Sequence, residues 1–140
     1  MSNEKNISKE LMTKTRILIA EDNLLNQKIA EHLVKGFGFS CDVCSDGKKA
    51  IELLKTNPYH LILMDIQMPE MDGYEATEYI RNVLKLNIPI IATTGNSSGS
   101  EKGKCIESGM NDYLSKPLKA DELYELLTRF LFPDAVCIDK

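Results

Sequence analysis

The chain has 140 residues, 43% of them hydrophobic and 27% charged, with a formal net charge of −4. This suits one soluble domain with a substantial core and excludes the basic footprint of a nucleic-acid binder or an acidic-membrane binder. No apolar run approaches the roughly 20 residues of a membrane span, and MSNEKNISKE lacks the apolar region of a secretory signal, so a cytoplasmic location without direct membrane contact is expected.

Residues 1–14 are polar and aperiodic and read as a linker or disordered tail. A folded domain is expected over residues 15–132, then a short irregular tail over 133–140. The first strand candidate is Arg16–Ala20. A helix follows from about Leu24 to Lys35, with Leu25, Ile29, Leu33 and Val34 on one stripe, and Gly36 and Gly38 just past its end.

Phe39–Cys44 is the second strand and contains the pair Cys41 and Cys44. A zinc site wants a second close pair, which is absent, and a redox pair wants a helix start. Three positions apart on a strand, the two thiols point to opposite faces, and Cys41, Cys44, Cys105 and Cys137 are read as small hydrophobes. Asp46 is a plausible cap for a second helix over Lys48–Lys55, with a stripe of Ala50, Ile51 and Leu54.

His60–Met64 is the third strand, Gly73–Asn82 a helix, Ile88–Thr93 the fourth strand and Asp112–Leu114 the fifth. Between the last two, a helix over about Gly99–Ser108 is weakly specified because it follows GNSSGS. The final helix places Leu123, Leu126, Leu127, Phe130 and Leu131 on one face. RILIA, HLILM and IPIIAT are near-continuous apolar runs, as strands buried on both faces of a parallel sheet require. Five strand–helix units imply an α/β fold with helices on both faces, and the flavodoxin-like order 2-1-3-4-5 is expected.

On that frame, Glu21 and Asp22 end the first strand, Asp65 the third and Thr94 the fourth, and Lys116 follows the fifth. All five meet at the carboxyl edge of the sheet, where open α/β folds bind ligands. Crowded carboxylates need a compensating cation, and Mg²⁺ (or Mn²⁺) suits an all-oxygen site. The matching cargo is a phosphoryl group, with Lys116 as a second positive pole and a carboxylate as nucleophile. The dinucleotide and P-loop glycine motifs are absent. A flavin phosphate would be repelled by Glu21 and Asp22, and a dehalogenase-type phosphatase would want an aspartate where Gln67 stands.

ILIAEDN, LILMDIQMPEMDGYEA, PIIATTGN and GMNDYLSKPL, in this order, closely resemble the receiver domain of response regulators over about Thr15 to Leu131. The resemblance implies that Asp65 is the phosphoacceptor. Glu21, Asp22, Asp65 and the backbone carbonyl of Gln67 would hold Mg²⁺. Thr94 is the switch hydroxyl, five positions after Pro89, and Tyr113 the aromatic that reports the switch. Lys116 pairs with the phosphoryl group, and Lys116–Pro117 is usually cis in the family. Met68–Pro69 and Gly73 match the loop after the acceptor.

EDNLLNQKIA and DIQMPEMDGYEAT further resemble receivers fused to hybrid histidine kinases. In those, the first helix docks a partner's helices; here most of its apolar residues are expected to face the core. The chain departs from such receivers in carrying Thr93–Thr94–Gly95 where Leu-Thr-Ala is common. Gln67 and Asn96 occupy places that tune water attack on the phosphoryl group.

The expected role is a phosphorelay switch excised from a longer hybrid kinase, not a turnover enzyme, and a monomer or weak dimer. Its partner would be a histidine kinase or histidine phosphotransfer domain. A stand-alone Mg²⁺-dependent phosphohydrolase and a degenerate docking module are the alternatives. His32 is read as a solvated residue and His60 as structural; Met64, Met68, Met71 and Met110 as core or loop filler.

Overall fold

A computed structural model describes residues 9–95 and 99–133. Its five strands are β1 (Arg16–Ala20), β2 (Ser40–Cys44), β3 (Leu61–Asp65), β4 (Ile90–Thr94) and β5 (Asp112–Ser115). All neighbours pair in parallel, in the order β2-β1-β3-β4-β5. The expected flavodoxin-like order is therefore the observed one.

The apolar runs become the three central strands because only there are both faces covered. Alternate residues serve opposite cores. Leu18, Ala20, Ile62, Met64, Ile90 and Ala92 join one cluster. Ile17, Ile19, Leu61, Leu63 and Ile91 join the other. Helices α3 (Gly47–Thr56), α4 (Gly73–Asn82) and α5 (Gly99–Ser108) cover the first cluster with Ala50, Ile51, Ala76, Ile80 and Cys105. Helices α2 (Leu24–Gly36) and α6 (Ala120–Leu131) cover the second with Ala30, Val34, Leu123, Leu126 and Leu127. Cys41 and Cys44 fall in opposite clusters, as their strand spacing requires. Burial pushes both thiols up, Cys44 to about 12, so neither is a ready nucleophile or metal ligand. Cys137 lies outside the described residues.

Caps place the helix starts. Asn23 accepts from the Asn26 amide at 2.9 Å, Asp46 from Lys49 at 2.8 Å, and Asp72 forms a capping box with Glu75. Gly38, at φ 108°, turns the chain from α2 into β2 in a conformation other residues resist.

Two sequence expectations change. Residues 9–14, read as the end of a linker, form a short helix, α1 (Lys9–Lys14). A six-residue helix anchored by buried Met12 is too short to display a period. Tertiary contact holds them: Met12 joins the α2–α6 core, and Ser40 Oγ donates to Thr13 O at 2.6 Å. Leu25 does not face the core. It is 69% exposed and Leu24 68%, while Ala30 and Val34 carry the burial. The first turn of α2 stands at the rim where the chain leaves β1, beyond the reach of the sheet's apolar surface.

A half-buried cation ties the β4 side together. The Arg81 guanidinium donates to Gly109 O (3.0 Å), Leu86 O (2.8 Å) and Asn111 Oδ1 (2.9 Å). Arg81→Ala leaves Gly109 O and Leu86 O without this donor, while Asn111 Oδ1 keeps the Ile90 amide at 2.9 Å, and is expected to cost about 2 kcal/mol, read as a lower urea midpoint. An unchanged midpoint would refute this account of the loops.

Candidate functional site

Glu21 and Asp22 follow β1, Asp65 ends β3, Thr94 ends β4 and Lys116 follows β5. Parallel pairing brings these ends to one edge. Lys116 Nζ lies 2.9 Å from Asp65 Oδ1 and 3.0 Å from Glu21 Oε1. Glu21 and Asp65 are buried, at 4% and 3% exposure, while Asp22 is exposed. An open cleft of about 410 Å³ is lined by Asp22, Asp65, Gln67, Thr94 and Lys116, among others.

The electrostatics are frustrated. Burial, reinforced by the Glu21 charge, pushes Asp65 up to about 7, although the Lys116 hydrogen bond opposes it. Lys116 sits above its ordinary value: burial acts to lower it, but its bonds to Asp65 and Glu21 outweigh that. The ammonium therefore keeps its proton, and Asp65 titrates near neutrality. The folded-state value lies above the unfolded one (about 3.9). The stability that Asp65 contributes is thus complete below the unfolded value and is lost as pH rises through about 7.

A hard divalent cation fits this donor set. Glu21, Asp22 and Asp65 each offer an oxygen, all within 4.8 Å of one another. With every carboxylate ionised, three negative charges face one ammonium, a surplus that a metal bound through a few carboxylates would offset.

Thr94, not Thr93, lines the cleft with Asp65; Thr93 lines an adjoining cavity of about 10 Å³ that shares Glu21, Asn26 and Lys116 with the cleft. Tyr113 lies on β5, half-buried against the core. The Gln67 amide donates to Asp65 Oδ1 at 3.3 Å, and its side chain is exposed. The Lys116–Pro117 peptide is cis. Helix α5 begins at Gly99, as expected after the glycine–serine stretch, and the Tyr74 hydroxyl donates to Glu101 in its first turn. Asn96 lies outside the described residues. His32 is exposed on α2, and His60 Nδ1 accepts from the Arg16 amide at 3.1 Å, a structural role.

Sequence reasoning missed three supports. Asn23 donates its amide to Glu21 Oε2 at 3.1 Å. Gln27 Nε2 donates to Glu21 O at 2.6 Å. Gly73 passes close beneath Asp65: a Cβ there would lie 2.5 Å from the Asp65 carbonyl oxygen. An asparagine just before an amphipathic run is a readable cap signal; the other two contacts have no signal within their own segments.

Residues 17–128 match the response regulator receiver domain family. The hybrid signal transduction histidine kinase B of Dictyostelium discoideum is 43% identical over 129 residues. That alignment covers 83% of this chain but only 7% of the relative, so the chain corresponds to a small part of it. The receiver domain of the sensor histidine kinase PA1611 from Pseudomonas aeruginosa, crystallised with a magnesium ion coordinated in its active-site cleft, is 38% identical. It has a TM-score of 0.77 and the match covers 84% of this chain and 97% of that one. The Saccharomyces cerevisiae Ssk1 receiver, co-crystallised with the histidine phosphotransfer protein Ypd1, is 32% identical, with a TM-score of 0.81 and coverage of 89% and 93%. The chain belongs to the response regulator receiver domains of two-component signalling. Its curated relatives include hybrid histidine kinases. Among the described residues, no helix is long and apolar enough to cross a membrane.

Proposed function

We propose that this chain is a phosphorelay receiver whose Asp65 accepts a phosphoryl group from the phosphohistidine of a histidine kinase or histidine phosphotransfer domain. The observation that carries this reading is Lys116 Nζ bridging Asp65 and Glu21, at 2.9 and 3.0 Å, in an open acidic cleft. The magnesium in the PA1611 receiver supports the same reading.

Glu21, Asp22, Asp65 and the backbone carbonyl of Gln67 would hold Mg²⁺ or Mn²⁺. The ion, when bound, supplies positive charge against the transferring oxygens. An Asp65 carboxylate oxygen attacks phosphorus, the P–N bond of the phosphohistidine breaks, and the imidazole leaves with the electron pair and takes up a proton. Formation of the acyl phosphate, a mixed anhydride, removes the charge that Lys116 pairs with at Asp65, so the ammonium turns to a phosphoryl oxygen. Thr94 donates its hydroxyl to another. Tyr113 repacks in response, and the face formed by α5, β5 and α6 moves between two arrangements. The aspartyl phosphate is lost to water, so the chain is a switch rather than a turnover enzyme. We place the working unit at residues 15–132, with α1 packed against it through Met12, as a monomer or weak dimer, within a hybrid histidine kinase and on its cytoplasmic side.

Leu24 and Leu25 stand exposed beside the cleft. Two adjacent exposed leucines on a helix start suit an apolar partner surface, and the Ssk1–Ypd1 complex supports a phosphotransfer protein as that partner. In a phosphotransfer assay with labelled phosphohistidine protein, the wild type is expected to take the label and Asp65→Asn to take none. Replacing both leucines with aspartate is expected to slow this transfer about 10-fold or more and to leave labelling by acetyl phosphate unchanged. Equal effects on both donors, or none on either, would count against the docking face.

A further inference from the structure

The polar groups of Glu21 can be followed one at a time. Its amide donates to Cys44 O at 3.0 Å, so the backbone still follows β2. Its carboxylate takes Lys116 at Oε1 and the Asn23 amide at Oε2. Its carbonyl has left the β1 ladder, which ends at Ala20. That carbonyl accepts Gln27 Nε2 at 2.6 Å. Gln27 also closes the first turn of α2, its backbone amide donating to Asn23 O at 2.9 Å.

We propose that Gln27 is a positioning residue for the acidic pair: its side-chain amide holds the Glu21 carbonyl and so fixes the turn from which Glu21 and Asp22 face Asp65. This rests on the metal-assisted phosphoacceptor reading given above. Glu21 is 4% exposed, so water cannot readily replace a lost donor at its carbonyl, and a buried acceptor without a partner is costly. The 21–22 peptide then rotates to find another donor. Rotation of that one peptide displaces Glu21 and Asp22, two of the three side chains that would hold the ion. Gln27 touches neither the cleft's metal-holding oxygens nor the phosphoryl group; it acts through Glu21. The bond also fastens the acidic turn to α2, the helix that carries Leu24 and Leu25.

Gln27→Met tests this, because methionine has similar length and helix propensity but no donor. Mg²⁺ affinity of the whole chain, by titration calorimetry, is expected to fall about 10-fold, the lower end for outer-shell changes. The urea midpoint in metal-free buffer is expected to fall only slightly, because the rotated peptide regains a donor, and by less than the loss of Mg²⁺ affinity. Acetyl phosphate labelling is expected to fall at limiting Mg²⁺ and to recover at saturating Mg²⁺. On the unaltered protein, one Gln27 side-chain amide proton is expected to exchange slowly with water and to shift with the same Mg²⁺ midpoint. Wild-type affinity in Gln27→Met, a loss of affinity that only tracks lost metal-free stability, or a freely exchanging amide would each overturn the assignment. If Mg²⁺ binds neither wild type nor variant, the phosphoacceptor reading itself fails; if it binds both equally, only the role of Gln27 does.

Discussion

Lys116→Met is expected to lower stability by about 3 kcal/mol at pH 8 and by about 1 kcal/mol at pH 5 in metal-free buffer, and to abolish productive phosphorylation. The reason lies in what the ammonium leaves behind. Lys116 bridges two carboxylates that are 6% or less exposed at the side chain. Removing one partner of a buried pair strands the other as an uncompensated charge. Asp65 has a partial escape, because its value already stands at about 7 from burial and the Glu21 charge. At pH 5 it takes a proton and much of the penalty disappears. At pH 8 protonation itself costs free energy, so the loss is larger. Mg²⁺ is expected to restore part of the stability at pH 8 by supplying the missing positive charge. Urea midpoints by circular dichroism at both pH values check this. An equal loss at the two would mean that Lys116 acts through packing and not through charge.

Gly73→Ala is expected to destabilise the fold by about 2 kcal/mol and to slow phosphorylation by about 100-fold, the scale of a 1 Å misplacement at a reacting centre. A Cβ at this position would lie 2.5 Å from Asp65 O, 2.9 Å from Ile66 Cα and 3.2 Å from Asp65 C. All three are backbone atoms, so no side chain can swing away. The chain is held at this crossing by the Gly73 amide, which donates to Ile66 O at 2.9 Å, and by the Asp72–Glu75 capping box. Something must yield, and what yields is the strand end that carries the acceptor. Gly36→Ala is the control: a Cβ there meets nothing within 4 Å, and the change is expected to be neutral. Comparable midpoints for the two variants would contradict the close-approach argument.

The fold was legible because its signals are local. Apolar runs at Arg16–Ala20 and Leu61–Asp65 can be buried on both faces only in a central parallel strand, and the α6 stripe declares its buried side without help. The site was legible because each chemical residue sits at a strand end, so finding the strands located Glu21, Asp65, Thr94 and Lys116 together. The misses share one cause: they depend on contacts between segments. Six residues of α1 are helical through Met12 and Ser40. Leu25 breaks its predicted stripe because the helix starts at the sheet's rim. Gln27 bonds the Glu21 carbonyl and Gly73 passes against the Asp65 carbonyl, and no residue pattern announces such a contact.

The central claim is that Asp65 is the nucleophile of this cleft. Incubation with acetyl phosphate and Mg²⁺, followed by intact-protein mass spectrometry, tests it most directly. The wild type is expected to gain the mass of one phosphoryl group and Asp65→Asn to gain none; an unchanged wild-type mass, or equal labelling of the variant, would contradict it.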